Sequence, residues 1–273
     1  MTARKRIFRI LLFIGIMIIA LYMVTPVYIL LKISISEPRE VLTQHPSFLI
    51  KNITFDHWIA VFKSGNLWPP LIKSFTVATL TMILATFIVA PASYAISRMS
   101  PKLKYGFILA LFFTKMFPTV SIALPISVRF LEWNLLDTNI GLVLAHLIRE
   151  IPFMAWILVS TFSAIPVDLE EAAFIDGATR LQTLRLVIFP VAMQGIAVSA
   201  IYVWLNSWNE FTYALYLSLT TKTMPLQIYY YVERGGFFDQ AAYAIILAIP
   251  VFIITFIFQR YLKSDYLSGA VKG

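Results

Sequence analysis

The chain has 273 residues, of which 59% are hydrophobic and 13% charged. A soluble domain carries about a quarter of its residues charged, so the surplus apolar surface must face lipid, and a soluble globular fold is excluded. The net charge of +8 fits Lys and Arg retained on one side of a membrane rather than nucleic-acid binding, and the absence of cysteine removes disulfides, thiolate metal sites and cysteine nucleophiles.

Six apolar stretches are read against the roughly 20 residues that span hydrocarbon. The first, 7–31, follows the basic cluster Arg4, Lys5, Arg6 and Arg9. It is too long for a signal peptide and lacks a small-residue cleavage site, so it reads as a retained helix with a cytoplasmic N-terminus. A polar extracytoplasmic segment, 32–70, leads to the second span, 71–97. The basic loop "RMSPKLK" (98–104) follows and is placed in the cytoplasm. The third span, 105–130, is interrupted by Pro118 and Pro125. The fourth is 140–162, the fifth 191–219 and the sixth 241–258. A cytoplasmic loop, 163–190, separates the fourth and fifth, and a cytoplasmic tail covers 259–273. The expected fold is therefore an all-α integral membrane protein. It is a single transmembrane domain over 1–273, a bundle of about six transmembrane helices with a short cytoplasmic helix pair.

That pair is written in "EEAAFIDGATRLQTLRLVIFP" (170–190). Asp168 can N-cap a first short helix, with Glu171 at capping-box spacing. Asp168, Glu170 and Glu171 favour the positive end of its dipole. Ala172 and Ala173 are small enough to let a partner approach. Asp176-Gly177 suits a left-handed turn that ends the helix. A second short helix, 179–186, carries Arg180 and Arg185, and Pro190 restarts the chain toward the membrane. Two acidic-fronted helices at a sharp bend have the shape of a knob for a groove on another protein. A helix lying on headgroups would be basic instead.

Lys115, Arg149 and Glu150 fall inside spans, where each costs about 2.5–3.5 kcal/mol at mid-membrane. They should face the protein interior or a watery cavity, either as a structural polar network or as part of a pathway. Arg149 and Glu150 are neighbours about 100° apart on a helix and not natural partners; Glu150 can reach His146 at i−4. In "YVWLNSWNEF" (202–211), Trp204 and Trp208 offer flat faces, and Asn206, Asn209 and Glu210 planar polar groups. Sugars need both. An interfacial aromatic belt including Trp208, Tyr213 and Tyr216 explains the same stretch equally well.

No phosphate-binding G-x-x-x-x-G-K-[ST] loop, G-x-S-x-G or H-E-x-x-H occurs. His45, His57 and His146 have no metal-ligand spacing. The chain is therefore expected not to be an enzyme and to hold no metal. An ion-coupled secondary transporter would need an internal inverted repeat and dedicated ionisable residues. An intramembrane lipid-modifying enzyme would need clustered carboxylates or a nucleophile–base pair.

Glu171-Ala172-Ala173, then Gly177, Val187 and Pro190, resembles the "EAA" signature of ATP-binding-cassette importer permeases, with Val187 for the usual Ile and Phe189 for the usual Leu. "NITFDHWIAVF" (52–62), "MFP" (116–118), "LLDT" (135–138), "WNEF" (208–211) and the closing "SGAVKG" (268–273) are similar to the carbohydrate-uptake branch, in particular its shorter, maltose- and trehalose-type permease. The resemblance implies half of a translocation pathway in the cell's inner membrane; the basic clusters that flank the first two spans place both termini and the loop 163–190 in the cytoplasm. The resemblance also implies a homologous second permease, two cytoplasmic ATPase subunits and an extracytoplasmic sugar-binding protein. ATP and Mg would sit on the ATPases, and this chain would bind no cofactor. Glu170, Glu171, Ala172, Ala173, Asp176, Gly177, Ala178 and Pro190 would couple to the ATPases, and the tail 267–273 would touch them. The expected substrate pathway comprises Lys115, Met116, Arg149, Glu150, Trp204, Asn206, Trp208, Asn209 and Glu210, for a di- or oligosaccharide.

Overall fold

A computed structural model describes residues 3–233 and 236–262; the tail contact expected at 267–273 lies outside the described residues. Among those residues there is no β-strand, and one antiparallel bridge pairs Ser36 with Ile53. The helices run α1 (Ala3–Ile35), α2 (Pro38–Val41), α3 (Asp56–Lys63), α4 (Trp68–Ser97), α5 (Pro101–Phe113), α6 (Thr119–Glu132) and α7 (Asn139–Ser163). They continue as α8 (Asp168–Ile175), α9 (Arg180–Thr183), α10 (Phe189–Trp208), α11 (Thr212–Leu217), α12 (Met224–Glu233) and α13 (Phe237–Leu262). Five helical segments are long and apolar enough to cross a membrane, and the bent pair α5–α6 makes a sixth if counted as one span. The architecture is an all-α membrane bundle.

The chain divides into two compact units: Met1–Trp68 with Gln227–Ile249, and Pro69–Leu226 with Pro250–Gly273. In the first, α1 packs on α3, the Tyr28 ring lies 5.0 Å from that of Phe48, and the Lys32 ammonium donates to the Ser47 carbonyl. The Tyr243 hydroxyl stands 3.2 Å from both the Ser64 and Tyr231 hydroxyls.

The second unit is built around α7, the most buried of the long helices, which packs against α10, α5, α11 and α6. Lipid offers no hydrophobic drive for helix association, so close van der Waals contact has to hold such helices together. The sequence supplies it with small and β-branched residues. Val77, Thr81, Ala85, Val89, Ser93 and Ser97 recur every four residues along one buried stripe of α4. Thr138 caps α7, its hydroxyl accepting the Gly141 N–H at 2.9 Å.

Three helix boundaries differ from the sequence expectation. The third span breaks at Pro118 alone, and α5 with its 3-10 turn Thr114–Met116 meets α6 at 87°. Pro118 has no N–H and forces Phe117 into extended backbone (φ −81, ψ 131). Pro125 is carried inside α6. The fifth span, expected over 191–219, is two pieces: α10 stops at Trp208, and α11 restarts at Thr212. Its other end begins earlier than expected. From Arg180 the helix is continuous into α10 through one π turn, Leu184–Ile188. Pro190 therefore does not restart the chain. It cannot donate to the carbonyl four residues back, and the widened turn, with the Phe189 N–H reaching Leu184 O, accommodates that gap.

Candidate functional site

The α8–α9 elbow is specified at both of its joints. α8 ends at Ile175 with Asp176 as its C-cap, and Gly177 takes φ +83. Gly177 N–H donates to Phe174 O at 3.0 Å and Ala178 N–H to Ala173 O at 3.0 Å, which is the Schellman pattern. Only a residue without Cβ enters this left-handed region freely. Two residues later Thr179 opens α9 with a capping box. Its N–H donates to Gln182 Oε1 at 2.8 Å, while the Gln182 N–H reaches Thr179 Oγ1 at 3.4 Å.

The capping expected at the front of α8 is absent. Val167, not Asp168, is the N-cap, without a side-chain bond, because the preceding turn is already helical: Glu170 and Glu171 N–H both reach Val167 O, at 2.8 and 3.1 Å. Asp168, Glu170 and Glu171 instead lie in the first turn, where the helix dipole favours them. Glu171 is exposed.

The outward face of the elbow carries Glu171, Ala172, Phe174, Ile175, Asp176 and Gly177, all exposed, with Leu181 and Leu186 beyond them. Ala178 is half-buried and Pro190 exposed. Ala173 and Glu170 point inward and are buried. Glu170 is thus not on offer to a partner. Its Oε1 accepts from Arg98 Nε at 2.6 Å and its Oε2 from the Tyr94 hydroxyl at 2.7 Å. Sequence reading missed Arg98, Tyr94, Thr179 and Gln182. The Thr-x-x-Gln spacing of the last two was a legible cap signal; the first two carry no local signal.

A second cluster lies where two spans are broken. Lys115 and Met116 sit on the 3-10 turn before the α5–α6 bend, and both are exposed. From α7, Arg149 Nε approaches Glu150 Oε1 at 3.4 Å, and Arg149 Nη1 approaches Glu210 Oε1 at 3.4 Å. The sequence neighbours Arg149 and Glu150 are therefore partners after all, since the long Arg side chain folds back across its own helix. His146 bonds Ser207, Nδ1 to Oγ at 2.6 Å, with its Nε2 at 3.6 Å from Glu210 Oε2, rather than pairing with Glu150. Glu210 accepts the Tyr213 N–H (3.0 and 2.9 Å) and the Ala214 N–H (3.2 Å), so it starts α11 where α10 has stopped. Glu150 Oε2 and His146 Nε2 are buried without a hydrogen-bond partner. Of the three charges expected to face inward, Glu150 is buried, Arg149 is 34% exposed and Lys115 is exposed. The bend at Pro118 carries Lys115 to the surface of this chain.

The tryptophans do not offer free faces. Trp204 and Trp208 are buried and stacked on each other at 5.0 Å and 11°, and Trp204 Nε1 donates to Thr79 Oγ1 at 3.2 Å. Asn206 and Asn209 donate back to the Tyr202 and Leu205 carbonyls of their own helix.

Residues 82–268, which hold both the elbow and the charged cluster, match the family described as binding-protein-dependent transport system inner membrane component. The chain belongs to that family. This permease is 34% identical over 227 residues to the trehalose transport system permease protein SugB of Mycobacterium tuberculosis, covering 81% of this chain and 83% of that one. It is 30% identical over 275 residues to the trehalose/maltose transport system permease protein MalG of Thermococcus litoralis, covering 97% of each. Its fold is shared with a chain in the crystal structure of a bacterial ABC transporter that imports the acidic polysaccharide alginate. The TM-score is 0.79 at 24% identity, over 96% of this chain and 98% of that one.

Proposed function

We propose that this permease forms half of the translocation pathway of an ATP-driven, binding-protein-dependent sugar importer, and that the α8–α9 elbow couples that pathway to cytoplasmic ATPase subunits. The observation that carries the reading is the elbow's construction. A Schellman turn and a capping box fix its angle, and exposed Ile175, Leu181, Phe174 and Ala172 make a compact apolar front edged by Glu171 and Asp176. An amphipathic helix of this kind fits a groove on a partner. The saccharides named for the relatives, trehalose and maltose, support a di- or oligosaccharide substrate.

The assembly then comprises a homologous second permease, two ATP-binding-cassette subunits that carry ATP and Mg, an extracytoplasmic sugar-binding protein and the membrane lipid. This chain is its non-catalytic transmembrane part. The elbow end of the bundle and both termini are cytoplasmic. Lys115, Met116, Arg149 and Glu150 border the pathway: non-helical backbone at membrane depth is tolerated where it lines a cavity or is covered by protein, and they gather at such a break. The buried tryptophans Trp204 and Trp208 support its wall from behind.

The test is co-expression with the partner permease, ATPases and binding protein, purification through a tag on this chain, and MgATP hydrolysis in proteoliposomes with trehalose or maltose. Co-purified ATPase whose hydrolysis rises with binding protein and sugar supports the reading. A tagged permease that never retains an ATPase overturns it.

A further inference from the structure

We infer that Arg98 is the joint that ties α8 to the transmembrane helices, so that a push on the elbow moves α8, the end of α4 and the end of α7 as one body. The inference rests on the coupling reading and adds the route by which motion leaves the elbow. It concerns a positioning residue, since Arg98 acts through α8.

The covalent route is a single short link. α7 ends at Ser163 and α8 begins at Asp168, with Pro166 in the four-residue link; Ile165 N–H bonds back to Phe162 O at 3.2 Å, and Glu170 N–H to Val167 O at 2.8 Å. The backbone of α8 packs against α9 and the π turn, its own neighbours along the chain. Arg98 closes the gap to the spans. It directly follows α4 and uses every nitrogen of its guanidinium. Nε donates to Glu170 Oε1 at 2.6 Å, with Nη2 in ion-pair contact with the same oxygen at 2.5 Å; Nη1 donates to Phe162 O at 3.0 Å and Nη2 to Ile165 O at 3.3 Å. Phe162 O lies in the last turn of α7, where it also accepts the Ile165 N–H at 3.2 Å, and Ile165 O lies just past that helix's end; a cation is favoured at such a C-terminus. One turn earlier on α4, the Tyr94 hydroxyl holds Glu170 Oε2 at 2.7 Å, and the guanidinium lies 5.6 Å from the Tyr94 ring centroid. Both oxygens of the carboxylate are therefore held from α4.

The two neighbouring acids of α8 thus do opposite things. Glu171 is exposed on the front of the elbow, whereas Glu170 is 7% exposed and faces the spans. A lysine could keep the charge of Arg98 but not its planar fork or its simultaneous reach to a carboxylate and two carbonyls. A joint of this kind needs shape as well as charge.

The test reads rigidity directly. The chain has no cysteine, so spin labels can be placed at Leu169→Cys on α8, off the docking front, and at Phe87→Cys on the exposed side of α4. Pulsed electron resonance then gives their separation in the permease complex, without nucleotide and with MgATP and vanadate. The joint predicts one narrow distance that is the same in both states. In Arg98→Lys the distribution broadens, and MgATP hydrolysis loses its response to binding protein and maltose or trehalose while the ATPase still co-purifies. Glu170→Gln keeps the side-chain shape and gives an intermediate broadening. Tyr94→Phe removes one hydrogen bond and is mild; the last two carry the test should Arg98→Lys fail to assemble. A wild-type distance that shifts with nucleotide overturns the joint, as does an Arg98→Lys distribution as narrow as wild type. The distance is readable on the permease even if no ATPase is retained, so failure of the coupling reading is seen separately as missing ATPase.

Discussion

Gly195 of α10 and Thr161 of α7 lie so close that a Cβ on the glycine would overlap the threonine's Oγ1 and Cγ2. It is a close contact between two helices that pack on each other. Gly195→Ala should act as overpacking and cost about 1–3 kcal/mol. Thr161→Ala removes both outer atoms and leaves the threonine Cβ, 2.9 Å from the added methyl. The double variant should therefore recover part of the loss, which thermal unfolding of the purified permease in detergent would read. Strict additivity of the two changes would contradict the packing account.

Glu210→Ala should be among the most damaging changes in the membrane region. It strips the Tyr213 and Ala214 N–H groups of their acceptor and takes one of two carboxylates from Arg149. Each buried donor left alone costs about 1–3 kcal/mol. Glu210→Gln keeps one acceptor oxygen and should fall between. Yield of monodisperse permease, compared across the three proteins, checks the order; an Ala variant as abundant as wild type would contradict it.

The loop after α11 should loosen in acid. Asp137, between α6 and α7, sits at φ 60 and accepts from the Leu219 N–H at 2.9 Å and from the Thr220 hydroxyl at 2.5 Å, with the Lys73 ammonium at 3.6 Å. Burial alone would raise its carboxyl; the Thr220 and Leu219 bonds and the Lys73 charge outweigh it and hold the carboxyl below its ordinary value. A depressed folded value gives stability that is complete above the unfolded value, about 3.9, and lost as pH falls through the lower folded one. Asparagine also tolerates positive φ, so Asp137→Asn isolates the charge. Amide exchange at Leu219 and Thr220 should be faster in the variant at pH 6, with the difference closing below about pH 4. A difference that persists unchanged in acid would show that charge is not what holds the loop.

Gly177 has open space around it, so its substitutions test backbone conformation alone. Any Cβ at left-handed φ costs about 1–2 kcal/mol, β-branched residues more and asparagine less. Uptake should therefore fall in the order Gly177, Gly177→Asn, Gly177→Ala, Gly177→Val. A valine variant that transports as well as the alanine variant would mean the elbow does not need this angle.

Much of the bundle is legible because composition and apolar runs fix it. α4, α7 and α13 fall close to the expected stretches, and Asp176-Gly177 marks its turn by local chemistry alone. The misses share one cause: a side chain's partner lay far along the chain. Arg98 reads as a basic residue after a span, and nothing nearby tells that Glu170, 72 positions on, closes over it. Trp204 and Trp208 read as sugar platforms until they are found stacked on each other. Glu210 reads as a polar group within a span, but it is the cap that lets the span break and restart. The π turn was hidden because Pro190 permits either a new start or a widened turn, and only continuity from Arg180 decides between them.

The central claim is that the outward face of the elbow seats an ATPase. Ile175 is 86% exposed at the end of α8, next to the turn, so a charge there should leave the permease fold intact and spoil only the docking face. The decisive measurement is retention of the ATPase and of the partner permease on tagged Ile175→Asp permease, beside wild type. The account predicts that the partner permease is retained in full and the ATPase is lost. Retention of both, with MgATP hydrolysis still raised by binding protein and sugar, would contradict it.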